Sequence, residues 1–151
     1  MTKKRKISFL VFSFLTIAFT AFIFSNSLLI AEESAARSGR FLPIIQKVLG
    51  VFGLNPSIDD LSFFVRKTAH FLEYFLLSAL ASGAILSLTE KKPFISLAPV
   101  YSLLVAITDE FVMQGMTEGR SAEWRDVLID LCGALLFAVI LIIYKRIKRN
   151  R

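Results

Sequence analysis

Four long apolar stretches divide this chain. Residues 7–30, 68–89, 94–113 and 127–144 carry few charged side chains, and the acidic or imidazole groups they have lie near one end. About 20 apolar residues are enough to cross a hydrocarbon core of ~30 Å as a helix. The pattern therefore predicts an all-α, polytopic membrane protein in which four transmembrane helices form a single domain, 1–151.

The first stretch also resembles a signal peptide, because a basic run, Lys3–Lys6, precedes it. Its apolar length exceeds the ~7–15 residues that are usual in a signal peptide, and Ser25-Asn26-Ser27 is a poor cleavage site. We therefore expect a retained span.

The loop at 31–66 contains a shorter apolar segment, 41–52, that is too short to span a bilayer. Pro43 suits the first turn of a helix. We expect an interfacial helix lying on the outer leaflet, with a lid over a site between the spans as the alternative. Ser57 and Asp60 then resemble a capping box that begins the helix of the second span.

Composition agrees with a membrane protein. Apolar residues make up 55% of the chain, and the mean hydropathy is +0.64. The net charge of +6 does not indicate nucleic-acid binding, because its cations are concentrated at the two chain ends, Met1–Lys6 and Lys145–Arg151. A single cysteine, Cys132, excludes a disulfide framework and a CxxC metal site.

Orientation follows from the positive-inside rule. If both termini are cytoplasmic, the basic ends and Lys91-Lys92 lie inside, together with one of the 12 acidic residues, Glu90. The remaining acids then lie outside or in the outer half of the bilayer. We therefore predict cytoplasmic N- and C-termini.

Polar residues of all four spans are predicted at one depth. At ~1.5 Å per residue, one residue of each span lies about 28–30 Å from the cytoplasmic edge: Ser25, His70, Gln114 and Asp126. Pro99 is expected to bend the third span. Small residues should allow close helix packing: Ser78, Ser82, Ala79, Gly83 and Gly133.

Helical spacing also predicts which of these polar residues share one face of a helix. Lys67, His70, Glu73 and Tyr74 fall along one stripe of the second span. Asp126 and Asp130 are one turn apart, and Glu110 and Gln114 repeat that spacing. Such groups are costly inside a membrane unless paired or hydrated, and a functional pocket is the favoured interpretation over an ion-pair scaffold. The predicted ligand-binding residues are Lys67, His70, Tyr74, Gln114, Arg120, Asp126, Asp130 and Ser25.

The same residues carry a family resemblance. Residues 66–74, RKTAHFLEY, resemble the RKxxHFxEY signature of the VanZ-like family, and 109–114, Gly119-Arg120 and 126–133 resemble its second block. The resemblance implies a four-span protein of a bacterial cytoplasmic membrane. It also implies an association with glycopeptide tolerance, after a member linked to teicoplanin resistance, but no settled activity.

Three functions remain open. A binding protein would engage an anionic lipid or lipid-linked cell-wall precursor, with Lys67, Arg120 and Arg125 holding oxyanions. A membrane-embedded hydrolase or transferase would use catalytic candidates His70, Glu73, Asp109, Glu110 and Asp126. Proton or solute transport is the third, although the inner half shows no polar track.

No cofactor is predicted from the sequence. A divalent cation on the acids and His70 is possible by ligand type, without a definite metal site. The expected partners are membrane lipids or the precursor, with no nucleic acid. The oligomeric state stays open.

Overall fold

The computed structural model describes residues 1–29, 39, 41–89, 95–119 and 121–150, and no strand is present among them. Within these residues five α-helices are described in chain order: α1 Lys3–Ser27, α2 Leu42–Val51, α3 Ile58–Leu88, α4 Leu97–Thr108 and α5 Trp124–Arg149. A π-helical turn, Asp109–Met113, and a 3₁₀ turn, Gln114–Met116, continue α4. The predicted all-α class is confirmed.

In the described ranges, four helical segments are long and apolar enough to cross a membrane: Lys3–Ser27, Ile58–Leu88, Leu97–Met116 and Trp124–Arg149. The second begins about three turns before the predicted residue 68. This extension agrees with the helix start predicted at Ser57. The apolar span alone was predicted from residue 68, because Asp59, Asp60, Arg66 and Lys67 make the first turns of the helix polar.

The start of α3 is fixed by its own side chains. Ser57 Oγ accepts a hydrogen bond from the Asp60 backbone N–H at 3.1 Å and donates to Asp60 Oδ2 at 2.6 Å. Asp59 and Asp60 also place negative charge in the first turn, where the helix dipole favours it. The predicted capping position is confirmed.

Helix α2 is short, with Pro43 in its first turn and Leu42 as its buried residue. It packs on α3. Large apolar side chains, including Ile44 and Val48, are exposed. The helix itself is confirmed, whereas its position on the outer leaflet and its use as a lid stay predictions.

Helix α3 is central to the bundle and packs against α1, α4 and α5. Gly133 of α5 lies so close to α3 that an added Cβ would overlap the Phe71 carbonyl oxygen. Ser78 Oγ donates to the Ala134 carbonyl at 3.1 Å across the same interface. Small residues therefore bring α3 and α5 together, as their sequence positions predicted.

Both termini lie at one end of the bundle. Arg5 Nε at the start of α1 donates to the Ser87 carbonyl at the end of α3, at 3.0 Å. Ile95, just before α4, and Lys145, near the end of α5, line one cavity. The N-terminal and C-terminal ends are therefore on the same side, as predicted, and the compartment they face stays a prediction.

The expected bend at Pro99 is not where the third span departs from α-helical geometry. Pro99 lies in the first turn of α4, where the missing N–H would have had no helical acceptor. The departure comes instead at Asp109, where the backbone widens into the π-helical turn.

Candidate functional site

The π-helical turn places the acids of the third span at the end of the bundle far from both termini. Its backbone is closed by the Gln114 N–H, which donates to the Asp109 and Glu110 carbonyls. A wider turn brings consecutive side chains closer to one face than an α-helix does. Single π-helical turns inside α-helices are frequent at functional sites.

Three parts of the chain hold these two acids. Gln114 Nε2 donates to Glu110 Oε2 at 2.6 Å and to Asp109 Oδ2 at 3.2 Å. Ser27 Oγ, at the end of α1, donates to Asp109 Oδ2 at 2.9 Å. The Glu123 backbone N–H, just before α5, donates to Glu110 Oε1 at 2.8 Å. Both carboxylates are buried, and their hydrogen bonds connect α1, the third span and α5.

An ion pair joins α3 to α5 at the same end. Lys67 Nζ contacts Asp126 Oδ1, and the side chains are 11% and 6% exposed. The Phe63 ring lies 5.1 Å from the ammonium group, within the range of a cation–π contact. Lys67 is thus nearly enclosed, with its charge directed toward α5.

A second pair lies one helical turn deeper on both helices. His70 Nδ1 is 3.3 Å from Asp130 Oδ1, which is close enough for an ion pair. The geometry is not that of a hydrogen bond, and neither carboxylate oxygen of Asp130 has a hydrogen-bond partner among the described residues. The Tyr74 hydroxyl, on the next turn of α3, is fully buried and also has no partner within this part of the chain.

Glu73 belongs to the same group of side chains. It interacts electrostatically with His70, Asp109 and Asp130. We call the following set the polar cluster: Lys67, His70, Glu73, Tyr74, Asp109, Glu110, Gln114, Asp126 and Asp130. Three helical spans supply it, and Ser27 of the fourth contacts it.

The charges of the polar cluster are unequal. Five carboxylates face two basic side chains, Lys67 and His70, in the described part of the chain. Arg125 is exposed at the start of α5, and the predicted Arg120 lies outside the described residues. Hydroxyl, amine and other donor groups therefore suit the interior of the cluster, whereas an anion is better placed beside Lys67 or Arg125.

The acids do not form an evident metal site. Among the described residues, no three side chains of the His, Cys, Asp and Glu types are grouped so that they could hold an ion. The divalent-cation alternative therefore draws no support from this arrangement.

A family model described as VanZ/LLP1 matches residues 9–145. The chain belongs to the VanZ/LLP1 family. The matched range includes every residue of the polar cluster, and the predicted family resemblance is confirmed. No curated protein and no solved structure matches the chain.

In this VanZ/LLP1 chain the structure assembles most of the predicted site residues. Ser25 is the exception among the described ones, because it is exposed and its hydroxyl donates to the Phe22 carbonyl at 2.8 Å. Two residues on, Ser27 points in a different direction around α1 and reaches Asp109. At this end of α1 the structure therefore places Ser27, and not Ser25, in contact with the polar cluster.

Two further contributors were missed. Thr117 Oγ1 donates to the Ser27 carbonyl at 3.2 Å, which ties the turn after the third span to the end of α1. Glu123 contributes its backbone N–H, not its carboxylate. A backbone donor has no signature in the sequence, while the polarity of Ser25-Asn26-Ser27 was the one available signal for Ser27.

Proposed function

We propose that the polar cluster binds the headgroup of a lipid or of a lipid-linked cell-wall precursor in the outer leaflet of a bacterial cytoplasmic membrane. Both termini would then be cytoplasmic. The observation that carries this proposal is the buried Asp130 carboxylate beside His70 and Tyr74, with polar atoms that find no hydrogen-bond partner in the part of the chain that the structure describes. Each such atom costs several kcal/mol in hydrocarbon, which a polar ligand or water would relieve.

The distribution of charge indicates what the headgroup carries. A phosphate or carboxylate fits beside Arg125, which is exposed, and the 11% of the Lys67 side chain that remains accessible. Hydroxyl or amine donors fit the deeper carboxylates, Asp130 and Glu73. An anionic headgroup that also carries hydroxyl or amine groups, such as a phosphate-linked sugar, offers a partner to the cations and to the deeper carboxylates alike.

A pure scaffold explains this cluster less well. An interhelical hydrogen bond contributes only about 0.6 kcal/mol on average within membranes. Because each additional polar contact adds so little stability, helix assembly alone does not account for this many buried polar groups. Here Ser78 and Gly133 already join α3 to α5 without any charge. Ionisable groups inside a membrane that helix assembly does not require usually belong to a functional site.

A second candidate, a membrane-embedded hydrolase or transferase acting on a lipid headgroup or lipid-linked precursor, is favoured by the His70–Asp130 pair. A carboxylate beside an imidazole orients it as a general base. His70 is the one histidine of the chain. Glu73, Asp109, Glu110 and Asp126 are the candidates for a second acid–base group. The chain shows no nucleophile elbow or zinc-protease motif, which is why binding is the first proposal.

The test compares the lipids and precursors that co-purify with the wild type and with His70→Ala. Mass spectrometry of the purified protein and of the parent membranes should show a polar species bound to the wild type and lost from the variant. The species should be anionic and should carry hydroxyl or amine groups.

Ser25→Ala is the matched control, because Ser25 lies at the same depth but is exposed and bonded to its own helix. It should retain the species. If the parent membranes instead accumulate or lose a defined compound in His70→Ala cells, the enzyme candidate replaces the binding one. Equal lipid content in all three proteins would reject both.

The association of the family with teicoplanin and lipoglycopeptide tolerance fits a protein that acts on the surface chemistry of the cell envelope. If this chain contributes to such tolerance through the polar cluster, expression of the wild type should raise the inhibitory concentration of teicoplanin, and His70→Ala should not. An equal rise with both would place any tolerance outside the cluster.

A further inference from the structure

A second feature lies at the opposite end of the bundle, between α4 and α5. Two adjoining cavities, each of about 450 Å³, both have Ile95 and Ile142 in their walls. The first is lined almost entirely by apolar side chains, among them Pro99, Leu103, Leu135 and Val139. Together they form one groove, which we call the basal groove.

The length of the basal groove matches one leaflet. Its wall on α5 extends from Leu131 to Ile142, which corresponds to a rise of about 17 Å. Half of a ~30 Å hydrocarbon core is close to that value. The groove therefore spans about the depth that an acyl chain of one leaflet occupies.

Cations stand at the mouth of the groove. Lys145, Arg146 and Arg149 line the second cavity and follow Ile142 at positions i+3, i+4 and i+7, along one face of α5. No carboxylate pairs with any of the three in the described part of the chain. Asp130 is the last acid of the sequence, so this end of α5 has no acid of its own to neutralise them.

We propose that the basal groove is a binding site for an anionic diacyl glycerophospholipid of the leaflet that faces the two termini. One acyl chain lies against Leu103, Leu135 and Val139, and the phosphate lies at Lys145, Arg146 and Arg149. A basic mouth over an apolar cleft between spans is the arrangement that recognises such lipids. A peptide fits less well, because the cleft faces hydrocarbon and its wall offers few hydrogen-bonding groups.

This site is independent of the polar cluster. Its basic mouth lies at the other end of the bundle, and its apolar wall reaches up to Leu131 without including any residue of the polar cluster. Its residues belong to α4, α5 and the segment just before α4, and it has a positive charge instead of an excess of carboxylates. His70→Ala should therefore leave it unchanged, so failure of one proposal does not imply failure of the other.

Native mass spectrometry of the full-length protein in detergent provides the test. Phosphatidylglycerol and phosphatidylcholine with identical chains are titrated in separate samples, and adducts are counted for the wild type and for the variant Lys145→Gln/Arg146→Gln/Arg149→Gln. At ~1 kcal/mol per cation, the variant should bind phosphatidylglycerol about 100-fold more weakly. Phosphatidylcholine should bind weakly to both.

The matched control removes three exposed cations at the same end that do not line the groove: Lys3→Gln/Lys6→Gln/Lys148→Gln. It should bind phosphatidylglycerol within a few-fold of the wild type. An equal loss in the control would mean that binding follows total charge, which would overturn the site.

A third variant tests the acyl-chain part. Val139 is half exposed and lines the groove, so Val139→Trp should fill the groove while every cation stays in place. We expect at least a 10-fold loss of the phosphatidylglycerol adduct. Unchanged binding by this variant would show that no chain enters the groove and would reject the proposal.

Discussion

Lys67 and Asp126 are each almost enclosed by the bundle, and each is the other's charge partner. Removing one member of a buried pair leaves the other charge uncompensated, which typically costs about 3–5 kcal/mol. Lys67→Met should therefore lower the stability of the bundle by that order. The double variant Lys67→Met/Asp126→Leu should recover most of the loss, because neither charge of this pair is left without its partner.

Thermal unfolding in detergent checks this, with Arg66→Met as the control, since Arg66 precedes Lys67 but is exposed. The control should unfold close to the wild type. A double variant as unstable as the single one would show that the pair is not what stabilises this end of α3 and α5.

For single residues, the sequence predicted the position of a side chain along its helix better than the direction in which the side chain points. His70 and Asp130 were identified because spacing along α3 and α5 sets which residues share a stripe. Ser25 was chosen over Ser27 because the rotation of α1 about its own axis depends on packing that the sequence does not display. Thr117 and the Glu123 N–H depend on the path of a loop.

Among the helices, the contact between α3 and α5 depends on Gly133. An added Cβ there would meet the Phe71 backbone, which cannot move without shifting a helix. Gly133→Ala should destabilise the bundle by about 1–3 kcal/mol, as overpacking does. The better helix propensity of alanine opposes this by less.

Two other glycines provide a graded comparison in the same unfolding measurement. A Cβ at Gly83 would meet the Phe12 ring at 2.5 to 2.7 Å, but a side chain can rotate away, so the loss should be smaller. A Cβ at Gly115 would lie 3.7 Å from the Glu110 carbonyl oxygen, an ordinary contact. A loss in Gly115→Ala equal to that in Gly133→Ala would contradict this order.

The helices themselves were largely predictable. Four apolar runs gave four spans, and the Ser57–Asp60 pattern gave the start of α3. The π-helical turn was not predictable, because Asp109–Met113 has no breaker residue and the wider turn goes with long-range contacts of Asp109 and Glu110. Pro99 was expected to bend the third span because the predicted start, residue 94, placed it deeper than the first turn.

For the whole molecule, the charge distribution predicts the orientation. Both ends of the chain are basic and lie on one side of the bundle, while the polar cluster lies on the other. A fluorescent protein fused after Arg151 should fluoresce, since it folds in the cytoplasm. Alkaline phosphatase inserted after Gly53 should be active, since it requires the external side.

Exchanging the two reporters is the control, and both exchanged fusions should be silent. An active phosphatase after Arg151 would place the C-terminus outside. That result would contradict the orientation and would move the proposed headgroup site to the inner leaflet.

Lipid analysis of the charge-deleted double variant decides whether the polar cluster is a ligand site or a scaffold. Lys67→Met/Asp126→Leu should assemble with nearly normal stability, because the two charges of this ion pair are removed together. Mass spectrometry of the purified variant should then show that the headgroup species bound by the wild type is lost, because its anionic part has lost Lys67. A stable double variant that still carries this species in wild-type amount would show that the polar cluster does not bind the headgroup through Lys67.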